Sequence, residues 1–232
     1  MPSILDRISC LKDKISAAAR KAGRDASEIT LLAVVKTVPL HQVFEALDAG
    51  ISVIAENRVQ EAKTRVQKIR SKYPYVKIHF IGHLQTNKVK QVLEMFDVIQ
   101  SVDSFKIANE IDKRADKPVY VFVEVNTSNE KSKFGVEPEN IFELVEQISH
   151  LTHVRITGLM TIGAFTENSE KIRACFKKLK GLKYQLHQKG YTNIEHLSMG
   201  MSYDFELAIE EGSDIIRIGS AIFGERNYQG GM

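Results

Sequence analysis

Residues 31–39 read Leu31-Leu32-Ala33-Val34-Val35-Lys36-Thr37-Val38-Pro39. A half-exposed strand alternates apolar and polar residues. This run does not alternate, which predicts a strand covered on both faces, as in a parallel sheet between helices. The strand is placed at 31–36. Lys36 closes it, and Thr37-Val38-Pro39 leads into a helix. Leu40, Val43, Phe44 and Leu47 then follow the i, i+3, i+4, i+7 spacing of an amphipathic helix, which Gly50 ends.

The same unit repeats along the chain. Further strands are expected at 51–55, 76–81, 97–101, 119–125, 154–160, 194–197 and 214–218. The run at 119–125, Val-Tyr-Val-Phe-Val-Glu-Val, is the plainest, being rich in β-branched and aromatic residues. Helical stripes lie between the strands: Val59, Ala62, Val66 and Ile69; Val89, Val92, Leu93 and Phe96; Ile141, Leu144, Val145 and Ile148. Helices are also expected at 104–114, before Asp116-Lys117-Pro118, and at 167–187 and 203–211. A further helix at 4–22 precedes the first strand. Eight strands, each followed by a helix or helical turn, predict an α/β fold: a single (β/α)8 TIM barrel with an extra N-terminal helix. One domain is expected over 1–232, the helix within 1–25 and the barrel over 30–225. The competing fold, an open doubly wound sheet, calls for a Gly-rich loop after the first strand, where Lys-Thr-Val-Pro stands.

Composition narrows the function classes. The chain has 232 residues, 43% hydrophobic and 26% charged, enough for a sizeable core without disulfides or metals. Its net charge of +3 comes from 32 basic and 29 acidic residues spread throughout, which argues against nucleic-acid or membrane partners. Cys10 and Cys175 stand apart from any CxxC or Cys/His cluster, so two packed thiols are expected. The N-terminus lacks a secretory apolar region, and no apolar stretch reaches the ~20 residues that span a bilayer. A cytoplasmic protein follows as the expectation. A self-contained barrel closes its own core, so a monomer is expected too.

A barrel builds its site from the carboxyl ends of its strands. Lys36 stands at such an end. Desolvation favours the neutral amine, which can attack an aldehyde to form an imine. The alternative is a lysine whose head reaches back to water. The loops after the seventh and eighth strands commonly bind phosphate. Here they are Ser198-Met199-Gly200-Met201-Ser202 and Gly219-Ser220. Small residues let backbone N–H groups approach an anion, and serine hydroxyls donate as well. A lysine for an aldehyde and two loops for a phosphate together describe pyridoxal 5′-phosphate (PLP).

Arg217, flanked by Ile216 and Ile218, points the opposite way from both. It could donate to the pyridine nitrogen of such a cofactor, or pair with a core carboxylate. Arginine keeps its proton, so a ring nitrogen bound to it would stay unprotonated and carbanion chemistry would be muted. Asn57, ending the second strand, could bond the cofactor's phenolic oxygen or cap the next helix. His79 and His83 flank the end of the third strand, where four-residue spacing does not align zinc ligands. The polar loop 126–135, with Lys131 and Lys133, reads as a solvated loop or as a lid contacting an anion.

Taken together, these segments resemble the pyridoxal phosphate homeostasis protein family. The stretches that carry the resemblance include Leu32-Ala33-Val34-Val35-Lys36-Thr37, Glu56-Asn57, His79-Phe80-Ile81-Gly82-His83-Leu84-Gln85 with Asn87-Lys88, and Val125-Asn126-Thr127-Ser128. Lys131-Ser132-Lys133-Phe134-Gly135, Gly158-Leu159-Met160, Leu197 to Ser202 and Arg217 to Gly224 continue it in order. The resemblance implies a barrel like that of fold-type III enzymes such as alanine racemase, and a cofactor imine on Lys36. It also implies phosphate contacts from Ser198, Gly200, Ser202, Gly219 and Ser220, a ring-nitrogen contact from Arg217, and cofactor contacts from Asn57 and Met160. Ala55 departs from the glycine frequent in the family. The implied role is to bind, buffer and deliver the cofactor to apo PLP-dependent enzymes, without a clear turnover reaction. The racemases add a second, β-rich domain with a tyrosine base. Only seven residues follow Glu225 here, so little help toward proton abstraction is expected. A minimal fold-type III amino-acid racemase is the alternative.

Overall fold

The computed structural model of the protein describes residues 2–130 and 132–224. Among them the chain begins with α1 (Ile4–Lys21), which Ser3 and Asp6 start as a reciprocal capping box. Strand β1 (Thr30–Val34) leads to α2 (Leu40–Asp48), and β2 (Val53–Glu56) to α3 (Val59–Lys72). Then come β3 (Lys77–Phe80), α4 (Val89–Met95), β4 (Val98–Val102) and α5 (Phe105–Arg114). They are followed by β5 (Val119–Glu124), α6 (Ile141–Ser149), β6 (Val154–Met160) and α7 (Ser169–Gln188). The chain continues through β7 (His196–Ser198), α8 (Phe205–Glu210), β8 (Ile215–Ile218) and the single turn α9 (Ser220–Phe223). The strands pair in sequence order into a closed barrel. Closure comes from parallel pairing of β1 with β8, with Leu32 opposite Arg217.

Successive side chains of a strand point to opposite faces, and the core divides accordingly. Leu32, Val34, Ala55, Phe122, Met160 and Ile215 pack together inside the barrel. Their neighbours in sequence, among them Ala33, Val35, Ile54, Val121, Val123, Leu159, Ile216 and Ile218, join the larger core beneath the helices. Both strand faces are therefore apolar, which is why the runs read as unbroken.

Most strands are shorter than their apolar runs, although the sixth, Val154–Met160, fills its run. The first, expected over 31–36, is Thr30–Val34, because Thr37 turns left-handed at φ 60° and the Val38 amide bonds back to the Val35 carbonyl at 3.1 Å. The seventh, expected at 194–197, is His196–Ser198. The long helix starts at Ser169, not at 167, because Asn168 caps it through the Lys171 amide.

Helix α1 fastens the ends of the barrel together. Arg24, just beyond it, donates to the Ser213 carbonyl at 2.6 Å and to Asp214 at 2.9 Å. Arg7 donates to the Ile222 carbonyl at 2.8 Å. Among the described residues, no helix is long and apolar enough to cross a membrane.

Candidate functional site

A cavity of about 1440 Å³ opens at the carboxyl ends of the strands. Lys36, Asn57, Met160, Ser202, Arg217, Gly219 and Ser220 all line it. A smaller hollow of about 350 Å³ lies among Thr37, Arg65 and Lys68 at α2 and α3 and holds none of these residues.

Alternation aims Lys36. Leu32 and Val34 face the barrel interior, so the next residue of that parity faces inward at the rim. Its backbone is held on both sides. The Val35 amide donates to the Ala55 carbonyl at 2.9 Å, and the Thr37 amide to Glu61 Oε2 at 3.2 Å. Arg65 donates to the Val35 carbonyl and, at 2.6 Å, to Glu56 Oε1.

Asn57 does not cap the helix that follows: Arg58 holds the cap position of α3, with no side-chain bond. The Asn57 Oδ1 is buried, with no hydrogen-bond partner among the described residues. Buried acceptors are ordinarily satisfied, so this oxygen on a cavity wall is available to accept from a ligand or from solvent. Gly82 presses on its backbone. A Cβ at residue 82 would lie 2.1 Å from the Asn57 carbonyl oxygen.

The two loops expected to hold phosphate are joined by Ser202. Its Oγ accepts from the Gly219 and Ala221 amides, both at 3.3 Å. Its own proton remains to donate. The stretch 198–200 behaves otherwise. Met199 is fully buried in the outer core. Gly200 makes the turn at φ 92°, where a Cβ would stand 2.5 Å from that of Ala208. Ser198 is buried, and its hydroxyl is occupied by Gln100 and Arg217. None of these three residues lines the cavity, because the strand still runs inside the barrel at 198 and leaves it only at the Gly200 turn.

Ser198 belongs to a buried polar chain. Arg217 Nη1 donates to Ser198 Oγ at 2.8 Å, and Ser198 donates to Gln100 Oε1 at 2.7 Å. Gln100 Nε2 meets His79 Nδ1 at 2.8 Å. The other guanidinium arm, Nη2, donates to the Thr161 carbonyl at 2.7 Å. Turning the Gln100 amide over would leave the Ser198 proton buried without an acceptor, a cost of about 1–3 kcal/mol. His79 Nδ1 is therefore an acceptor and the ring is neutral. Burial agrees, pushing the His79 pKa down to about 4.

Glu124, at the end of β5, is buried and lines the same cavity. Burial, and then Asp103, push its pKa up to about 7, against the pull of Arg217. Burial raises that of Asp204 as well, although Oδ1 accepts the Met201 amide at 2.6 Å. Arg217 itself is pushed down to about 10 by desolvation and remains charged at neutral pH.

The loop 126–135 folds toward the cavity mouth. Lys133 Nζ donates to Glu130 at 2.7 Å and to the Gly163 carbonyl at 2.8 Å. Phe134 stacks on His83, with ring centroids 3.9 Å apart. Lys131 lies outside the described residues. Gln100, Glu124, Thr161 and Asp204 escaped the sequence reading. For Glu124 a signal existed: it is a charged residue closing an otherwise apolar and aromatic strand.

Comparison with known proteins places this geometry. Residues 8–227 match the family model described as "Alanine racemase, N-terminal domain". The chain is 43% identical over 226 residues to the pyridoxal phosphate homeostasis protein of Aquifex aeolicus (strain VF5), covering 96% of this chain and 98% of the relative. The solved structure of PipY from Synechococcus elongatus PCC7942 with PLP bound superposes with a TM-score of 0.85 at 30% identity, over 96% of this chain and 100% of that one. Alanine racemase from Corynebacterium glutamicum shares the fold, with a TM-score of 0.70 at 13% identity, over 97% of this chain and 63% of that one.

Proposed function

Because this chain belongs to the family described as alanine racemase, N-terminal domain, and is similar end to end to its pyridoxal phosphate homeostasis proteins, we propose that it binds PLP in the barrel cavity and takes part in keeping the cofactor available. The observation that carries this reading is Lys36 on the wall of a cavity that also holds Arg217, Ser202 and the unsatisfied Asn57 oxygen. Bound there, the cofactor supplies an aldehyde that links covalently to a lysine amine and a ring that absorbs near the visible. Lys36 is the residue to hold it. Ser202, Gly219 and Ser220 would hold its phosphate, Arg217 its ring nitrogen, Asn57 its phenolic oxygen and Met160 the ring; all of them line the cavity. The relatives are named for homeostasis of the cofactor; buffering and delivery to apo enzymes, rather than turnover, are the form of that role proposed for this chain.

The decisive experiment is an absorbance spectrum after incubation with PLP. Wild-type protein gives the band of a lysine-linked cofactor, and Lys36→Ala gives only free aldehyde. An unchanged band in the variant overturns the assignment. For delivery, holo-protein is mixed with an apo-enzyme. Activation no faster than with an equal amount of free PLP removes that role.

One observation favours a second reading. Glu124 lines the cavity with its pKa near 7, a value suited to moving protons. Chiral analysis of amino acids after long incubation separates the readings. Racemisation that needs both Lys36 and Glu124 establishes an enzyme.

A further inference from the structure

Arg217 is buried on the cavity wall, and the fixed positions of its two terminal nitrogens have a source. A guanidinium donates and never accepts. That fact sets a direction at one end of the polar chain. Ser198 Oγ accepts from Arg217 Nη1 and so gives its proton to Gln100 Oε1. Gln100 then turns its NH₂ to His79 Nδ1, where a neutral imidazole ends the run. The members come from four strands, with Gln100 and Ser198 separated by 98 positions in sequence. Arg217, which lines the cavity, is the member of the chain placed to meet a ligand there. Ser198, Gln100 and His79 stand behind it, and no residue expected to contact a ligand accounts for Gln100 or His79.

We infer that Gln100 and Ser198 are positioning residues for Arg217: a one-way chain of hydrogen bonds, ended by neutral His79, holds the guanidinium in the orientation that meets the ring nitrogen of the cofactor. The inference rests on the cofactor reading for its consequence but not for the chain itself. A charged His79 would set donor against donor at Gln100, so the burial that keeps this ring neutral also keeps the direction of the chain. The other charged groups around the guanidinium, Glu124 and Asp204, act on it through space. Its short bonds go to Ser198 and Thr161.

The test begins with the protein free of cofactor. Nitrogen NMR of His79 reads the tautomer directly. The expected result is a neutral ring protonated on Nε2 from pH 5 to 8. A ring protonated on Nδ1 in wild-type protein overturns the inference, whatever the cofactor does. Gln100→Glu supplies a second reading that packing alone does not predict. A carboxylate at position 100 accepts from both neighbours, so His79 gains a proton on Nδ1 and titrates near neutral pH or above. An unmoved His79 in that variant also overturns it. With cofactor, Gln100→Met and Ser198→Ala keep the lysine-linked absorbance band, shift its position and bind PLP about tenfold more weakly. Wild-type affinity and band position in both variants refute the positioning role. Absence of any bound band in wild type instead refutes the cofactor reading and leaves the tautomer test standing.

Discussion

Glu124 and His79 oppose each other as pH changes. Glu124 ionises at 4.5 in the unfolded chain and at about 7 in the fold. Between those values the unfolded state has lost a proton that the folded state keeps, so stability falls as pH rises. His79 binds its proton at 6.5 when unfolded and at about 4 when folded. Over that interval the unfolded state carries the extra proton, so stability rises with pH. Each effect is on the order of 3 kcal/mol, and from pH 4.5 to 6.5 the two cancel. Glu124→Gln removes one of them. Measured by urea unfolding, the variant gains on wild type by up to about 3 kcal/mol between pH 4.5 and 8. Parallel pH curves for the two proteins count against the buried carboxyl. Asn57 presents a different trade. Replacing it with alanine removes a buried acceptor that has no partner among the described residues, a relief of roughly 1–3 kcal/mol set against lost contacts. Free-protein stability is expected to stay within about 1 kcal/mol while PLP affinity falls. A large loss of stability with affinity intact contradicts that placement.

The turn from β7 into α8 shows how an element's end sets a site. Gly200 sits at φ 92°, against Ala208 and Phe205. Alanine there faces left-handed strain of about 1–2 kcal/mol and an overpacking penalty of 1–3 kcal/mol. Gly200→Ala is expected to lower unfolding free energy by about 3 kcal/mol and to move Ser202 off the Gly219 amide. A melting temperature equal to wild type's defeats this. The same turn marks where the sequence stopped being readable. Apolar runs revealed the strands, because both faces of each are covered. A lysine closing the first run revealed Lys36, because its neighbours are all apolar. Ser198 and Ser202 look alike in sequence, yet one stands inside the barrel and the other on the cavity wall. Only the register of β7 separates them, and a three-residue strand carries too little pattern to reveal its register. Gln100 was hidden for another reason. Its partners come from β3 and β7, and no local spacing announces a contact across the barrel.

At the scale of the molecule, the barrel depends on contacts between its first and last parts. Arg24 bonds Ser213 and Asp214, and Asp214 also accepts the Leu197 amide at 2.8 Å. Arg24→Ala leaves a part-buried carbonyl and carboxylate without that donor. A loss of about 2 kcal/mol in urea unfolding is expected, and a loss below about 0.5 kcal/mol would class the pair with ordinary surface ion pairs. The joining of β1 to β8 has a consequence for the protein's birth. Chains emerge from the ribosome beginning with the N-terminus, so Lys36 is exposed long before Arg217 and Ser220 are made. A half-synthesised chain has the amine but neither the anion loops nor the guanidinium. With Lys36 as the attachment point proposed above, capture of vitamin B6 is expected to wait until β8 has left the exit tunnel, and chains stalled before it are expected to carry no cofactor.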